Sequence, residues 1–123
     1  AAIVVDESCT GLRYYRDLVD ESASDLPGQL DAIADRYMNI DCAFFSPNNE
    51  RMEAIPKIAE DFKIDGVIQY ILQYCHGYNV EAIRVAGILK ERDIPSLKIE
   101  TDYSQEDEGQ LRTRIDAFLE QLS

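Results

Sequence analysis

At 123 residues the chain has the size of one domain, large enough for folding to hide roughly two-thirds of the surface that an unfolded chain exposes. Apolar residues make up 46% and charged residues 29%, which excludes a disordered tail and argues for a packed core. The 12 basic and 24 acidic side chains leave a formal net charge of -12; such a surface repels phosphate backbones and anionic lipid, so neither nucleic acid nor a membrane is expected as a partner.

In chain order, the first apolar run is Ala2 to Val5, which reads as a buried strand with no initiator Met or polar lead-in before it. More chain is therefore expected upstream of Ala1. A short helix is predicted from Leu12 to Val19. Leu30, Ile33, Ala34 and Tyr37 recur at helical spacing, as do Met52, Ile55, Ala59 and Phe62. Pro47 after Ser46 suits the start of the second of these helices, and Pro56 inside it should kink or split it. Val67 to Leu72, preceded by Asp65-Gly66, is apolar at nearly every position, which predicts a strand buried on both faces of a parallel sheet. A helix through Ala82, Val85, Ala86 and Leu89 follows. Leu97 to Ile99, after Ile94-Pro95, reads as a third strand. The last helix carries Leu111, Ile115, Phe118, Leu119 and Leu122 on one face, with Arg112, Arg114, Asp116 and Glu120 toward water.

Strands alternating with helices predict a single α/β domain: an open three- or four-stranded parallel sheet flanked by helices in a flavodoxin-like, three-layer arrangement. Residues 1-123 are taken as that one domain. No run reaches the length of a membrane span and no signal-like opening is present, so a cytoplasmic location is expected. Three cysteines without a close pair also suit a reducing compartment. Cys9, Cys42 and Cys75 are each 33 residues apart, but their flanking residues do not match, so no repeat is inferred.

Ligands of open α/β sheets collect beyond the carboxyl ends of the strands. Three polar segments fall there: Asp6 to Gly11, Gln73 to Asn79, and Glu100 to Tyr103. Cys75 stands between a strand and a helix, where partly positive backbone N–H groups favour thiolate, the form that binds iron. A small buried hydrophobe is the plainer alternative for Cys75 and for Cys9 and Cys42. His76 adjoins Cys75, but sequence neighbours point apart, so a Cys-His nucleophile is not favoured over a polar role beside the thiol. Asp6-Glu7 invites comparison with a phosphoacceptor pocket. The Asp and Lys such a receiver needs at later strand ends are replaced by Tyr74-Cys75 and Glu100-Thr101. Neither a P-loop nor G-x-G-x-x-G occurs.

The run "DGVIQYILQYCHGYNVEA" with "LKERDIPSLKIETDYSQEDEGQLRTRIDAFLEQL", together with "VVDESCTGLRYYRDLV" and "LDAIADRYMN", resembles the C-terminal domain of the 2-hydroxyacyl-CoA dehydratase (D-component) and benzoyl-CoA reductase subunit family. Its most specific part is a Cys ending the central strand, "IETDYS" ending the next, and "GQLRTRIDAFLE" opening the last helix. The resemblance implies a fragment of a longer iron-sulfur subunit, with Cys75 as one ligand of a 4Fe-4S cluster and the remaining ligands in absent sequence. It leaves Cys9 and Cys42 non-ligands, with Cys9 near the cluster edge, and makes His76 a neighbour of the ligand. It further implies an acyl-CoA substrate, a second dehydratase subunit and an ATP-dependent iron-sulfur activator protein. In a 2-hydroxyacyl-CoA the departing beta hydrogen lacks the acidity that an enolate mechanism uses. One-electron reduction of the thioester carbonyl gives a ketyl that can expel the hydroxyl, after which the beta proton becomes acidic. The isolated domain is expected to be inactive. A benzoyl-CoA reductase subunit is the alternative within the family, and a non-enzymatic flavodoxin-like binding module the alternative outside it.

Overall fold

A computed structural model describes residues 1–39, 41–45 and 47–123. Its elements, in order, are α1 (Leu12–Tyr15), α2 (Leu26–Met38), α3 (Asn49–Asp61), β1 (Val67–Leu72), α4 (His76–Lys90), β2 (Ser96–Thr101) and α5 (Glu108–Gln121). Parallel pairing joins β1 to β2 in a continuous register from Val67 opposite Ser96 to Leu72 opposite Thr101. A parallel pair needs a long crossover, and α4 is that crossover. The chain is thus an α/β unit with helices flanking a parallel sheet.

The sheet among the described residues has two strands, not the three or four expected. The difference lies in Ala2 to Val5, which forms no ladder and leaves Ile3 92% and Val4 56% exposed. With a partner on one side only, β1 is an edge strand. It is also not buried on both faces: Ile71 is buried, whereas Ile68 and Tyr70 are exposed. An apolar run records what a strand can bury, not what covers it.

The core lies on the other face, where Met52 of α3 meets Val85 and Leu89 of α4, with Ile55, Val67, Ile88 and Ile94 around them. Leu89 is fully buried. On the opposite side α5 crosses Gly66, where an added Cβ would come within 2.8 Å of Leu122 and 2.9 Å of Phe118. Among the described residues no helix is long and apolar enough to cross a membrane.

Several local expectations change. Instead of running to Val19, α1 stops at Tyr15; beyond it Asp20 accepts hydrogen bonds from the N–H and hydroxyl of Ser22, a local alternative to helix. Helix α3 passes through Pro56 without splitting: one backbone hydrogen bond is lost, and buried Met52, Pro56, Ile58 and Ala59 hold the segment in place. Its start is set by Asn48 in the left-handed region at φ 48, rather than by Pro47; Ser46 lies outside the described residues. The apolar stripe of α2 is helical as predicted, yet Leu30, Ile33 and Tyr37 are exposed.

Candidate functional site

Strand β1 leads into α4 through a sharp turn. Tyr74 takes φ 67, and Cys75 follows as the N-cap residue of α4 with φ -78 and ψ 76. The Cys75 N–H donates to the Leu72 carbonyl at 3.0 Å, and the Cys75 carbonyl accepts from the Asn79 N–H at 3.0 Å. Its half-buried thiol makes no capping hydrogen bond. Four N–H groups of a helix start lack intrahelical partners and carry partial positive charge, and Cys75 stands at that end of α4. His76 is the first helical residue and exposed.

The other cysteines take different positions. Cys9 is exposed on the bend that follows Ser8. Cys42 is half-buried and close enough to Tyr78 in the first turn of α4 for its charge to act on that phenol. Its neighbour Ala43 packs against the same turn, with its carbonyl 3.4 Å from where a Cβ on Gly77 would stand. Among the described residues no group of three His, Cys, Asp or Glu side chains is placed to hold a metal ion.

The bend from Asp6 to Gly11 is tightly made. Asp6 accepts from the Ser8 N–H at 2.8 Å and from its hydroxyl at 3.0 Å, while the Asp6 carbonyl accepts from the Leu12 N–H at 2.7 Å. A Cβ at position 11 would lie 2.2 Å from that carbonyl oxygen, so only glycine fits.

A buried ion network then ties this bend to α3 and α4. Arg13 donates from Nε and NH2 to the two carboxylate oxygens of Glu7, each at 2.8 Å, and from NH1 to the Tyr78 hydroxyl. Arg51 of α3 donates to Glu7 at 3.1 Å and also to Glu81 of α4. Asn48 donates to Glu81 at 2.9 Å. Both guanidinium carbons lie over the Tyr78 ring, at 5.3 Å for Arg13 and 5.0 Å for Arg51, within cation–π range. Burial pushes the Tyr78 phenol up to about 12, against the pull of Arg13 and Arg51. Two cations and two anions thus neutralise one another out of water, the condition under which buried charge is tolerated.

Of this network the sequence singled out only Glu7, as half of an acidic pair, and Tyr78, as part of a polar loop. Arg13, Asn48, Arg51 and Glu81 went unread. One signal for Glu81 was its place four residues before Val85, on the apolar side of α4, where a charge needs a partner.

At the far strand end, Asn79 donates to Glu100 at 3.0 Å and accepts from Lys98, joining the first turn of α4 to β2. An open groove of about 540 Å³ lies beside it under α5, lined by Tyr70, Thr101, Tyr103, Leu111, Arg112 and Ile115. Cys75 is not among its lining residues, so groove and thiol are separate features.

The sequence is similar to those of known proteins. YjiM of Escherichia coli, assigned as a dehydratase subunit, is 40% identical over 121 residues, covering 98% of this chain and 30% of that protein. The (R)-phenyllactyl-CoA dehydratase beta subunit of Clostridium sporogenes is 30% identical over 122 residues, 98% of this chain and 32% of its own length. The beta subunit of (R)-2-hydroxyglutaryl-CoA dehydratase from Acidaminococcus fermentans is 27% identical over 112 residues, 87% of this chain and 30% of its own. The chain therefore spans about a third of the length of these curated relatives. The family described as "2-hydroxyglutaryl-CoA dehydratase, D-component" matches residues 1–122, which takes in the Asp6 to Gly11 bend, the Cys75 turn and both strands. On that match the chain belongs to the 2-hydroxyglutaryl-CoA dehydratase D-component family.

Proposed function

We propose that this chain is the C-terminal α/β domain of a longer 2-hydroxyacyl-CoA dehydratase subunit, and that Cys75 provides one thiolate ligand to a 4Fe-4S cluster shared with sequence outside these 123 residues. The observation that carries the reading is the Cys75 thiol: it stands at the N-cap of α4, uncommitted to capping, beyond the carboxyl end of β1. A thiolate is the soft donor that iron-sulfur clusters take, so the residue fits one coordination position. It fits only one, because among the described residues no set of donors converges. When bound, the cluster supplies the electron that reduces the substrate thioester before water is eliminated.

This chain's part is to hold the thiolate. The Tyr74 turn sets Cys75 at the start of α4, beyond the end of β1, and exposed His76 is the next residue in the chain. Cys9, on its exposed bend, is assigned to the rim of the same site. A dehydratase is favoured over a reductase because the named relatives are dehydratase subunits. Two of them are beta subunits, which supports a second subunit as partner; an acyl-CoA substrate and an ATP-dependent iron-sulfur activator complete the reading.

The test is Cys75→Ser in the full-length complex, which exchanges a soft ligand for a poor one at similar volume. Expected are loss of iron, of cluster absorbance and of turnover with an unchanged circular dichroism spectrum, while Cys42→Ser keeps its iron. Full iron and full turnover in Cys75→Ser would reduce Cys75 to a packing residue.

A further inference from the structure

We propose that Glu7 and Tyr78 are positioning residues for Cys75, locking the Asp6 to Gly11 bend onto the first turn of α4 so that the thiol keeps one orientation. The inference rests on the reading of Cys75 as a cluster ligand. A ligand must be held to within about 0.5 Å of its working position by its surroundings. The start of α4 has no side-chain cap, so beyond the backbone hydrogen bonds of the turn its order draws on the residues just behind Cys75.

Two of them supply it. Tyr78, three residues on in the first turn of α4, accepts from Arg13 and lies under both guanidiniums. Asn79 ties the next position to Glu100 and Lys98 of β2. Tyr78 is held by Arg13 and lies against Arg51; the two guanidiniums share the carboxylate of Glu7, and Arg51 is held by Glu81 as well. Arg13 is 3% exposed at its side chain and Arg51 10%. Neither can turn to water for a substitute. Among the described residues Glu7 is thus the anion that connects the bend and α3 to the guanidiniums over the Tyr78 ring. Removing its charge leaves Arg13 with the Tyr78 hydroxyl and a backbone carbonyl, and it releases the bend from α3.

The experiment compares wild type, Glu7→Gln, Tyr78→Phe and, as a remote control on α5, Arg112→Gln, all in the full-length complex. For Glu7→Gln we expect retained iron, an altered electron paramagnetic resonance line shape, a shifted reduction potential and a loss of turnover of about tenfold. In iron-free protein, alkylation of Cys75 should be several times faster than in wild type. Tyr78→Phe keeps the ring but not the acceptor, and should move each readout in the same direction by less; it carries the test if Glu7→Gln fails to fold. Arg112→Gln should change none of them. Wild-type line shape, potential and alkylation rate in both variants would overturn the proposal. Wild-type protein that assembles no cluster would instead sink the ligand reading, and the alkylation rates alone would then decide whether Glu7 governs Cys75.

Discussion

Tyr78 shows how a single side chain can carry a pH dependence. A free phenol loses its proton near pH 10, whereas burial in the ion network moves that of Tyr78 up to about 12. Between those values the unfolded chain binds fewer protons than the folded one, and the linkage relation favours unfolding as pH rises. The stabilisation is complete below about pH 10 and is lost as pH climbs through about 12. Denaturant titrations across this window should therefore show a shallower decline for Tyr78→Phe than for wild type. Superimposable declines would mean that the Tyr78 phenol does not titrate differently in the two states. Cys42 contributes to the same balance, since its charge adds to the upward push.

Among the elements, β1 departs furthest from the usual behaviour of its type. Parallel strands are ordinarily covered on both faces, yet among the described residues β1 has a partner on one edge only and leaves Ile68 41% and Tyr70 56% exposed. An open edge beside exposed apolar side chains is a template for pairing with other chains. In the 123-residue chain, Tyr70→Lys should reduce self-association in sedimentation velocity, and its folding stability should stay within about 0.5 kcal/mol of wild type. Association as strong as that of the parent would clear this face of responsibility. Helix α2 has the same character, with Leu30, Ile33 and Tyr37 exposed along a stripe whose period is plain in the sequence.

Across the whole molecule, what could be read from the sequence was whatever is written locally. The bounds of β1 follow from an apolar run stopped by Asp65-Gly66 and Gln73, and they agree with the strand observed. The second strand was read too short, because Ser96, Glu100 and Thr101 are polar; they belong to β2 only through their register with β1. Ala2 to Val5 has the composition of a strand, and composition does not provide the neighbour that a ladder requires. For the site, Gln73 to Asn79 begins where β1 ends and Glu100 to Tyr103 spans the end of β2, as the sequence predicts, whereas Asp6 to Gly11 follows no strand. The ion network was not legible: Glu7 reaches Arg51 across 44 residues and Arg13 reaches Tyr78 across 65, separations to which no periodicity responds.

Those separations bear on the order of folding. The unit of β1, α4 and β2 is continuous in sequence, so its contacts close short loops, whereas docking the Glu7 to Arg13 segment must close a long one for a handful of polar contacts. The segment should accordingly settle after the transition state, onto a sheet and helix already formed. Glu7→Gln would then accelerate unfolding and leave the refolding rate nearly unchanged, which stopped-flow chevrons can resolve. A refolding arm slowed in proportion to the lost stability would place the bend in the nucleus instead. On the order expected here, the anion that holds the cysteine turn in place is among the last parts of the fold to arrive and the first to leave.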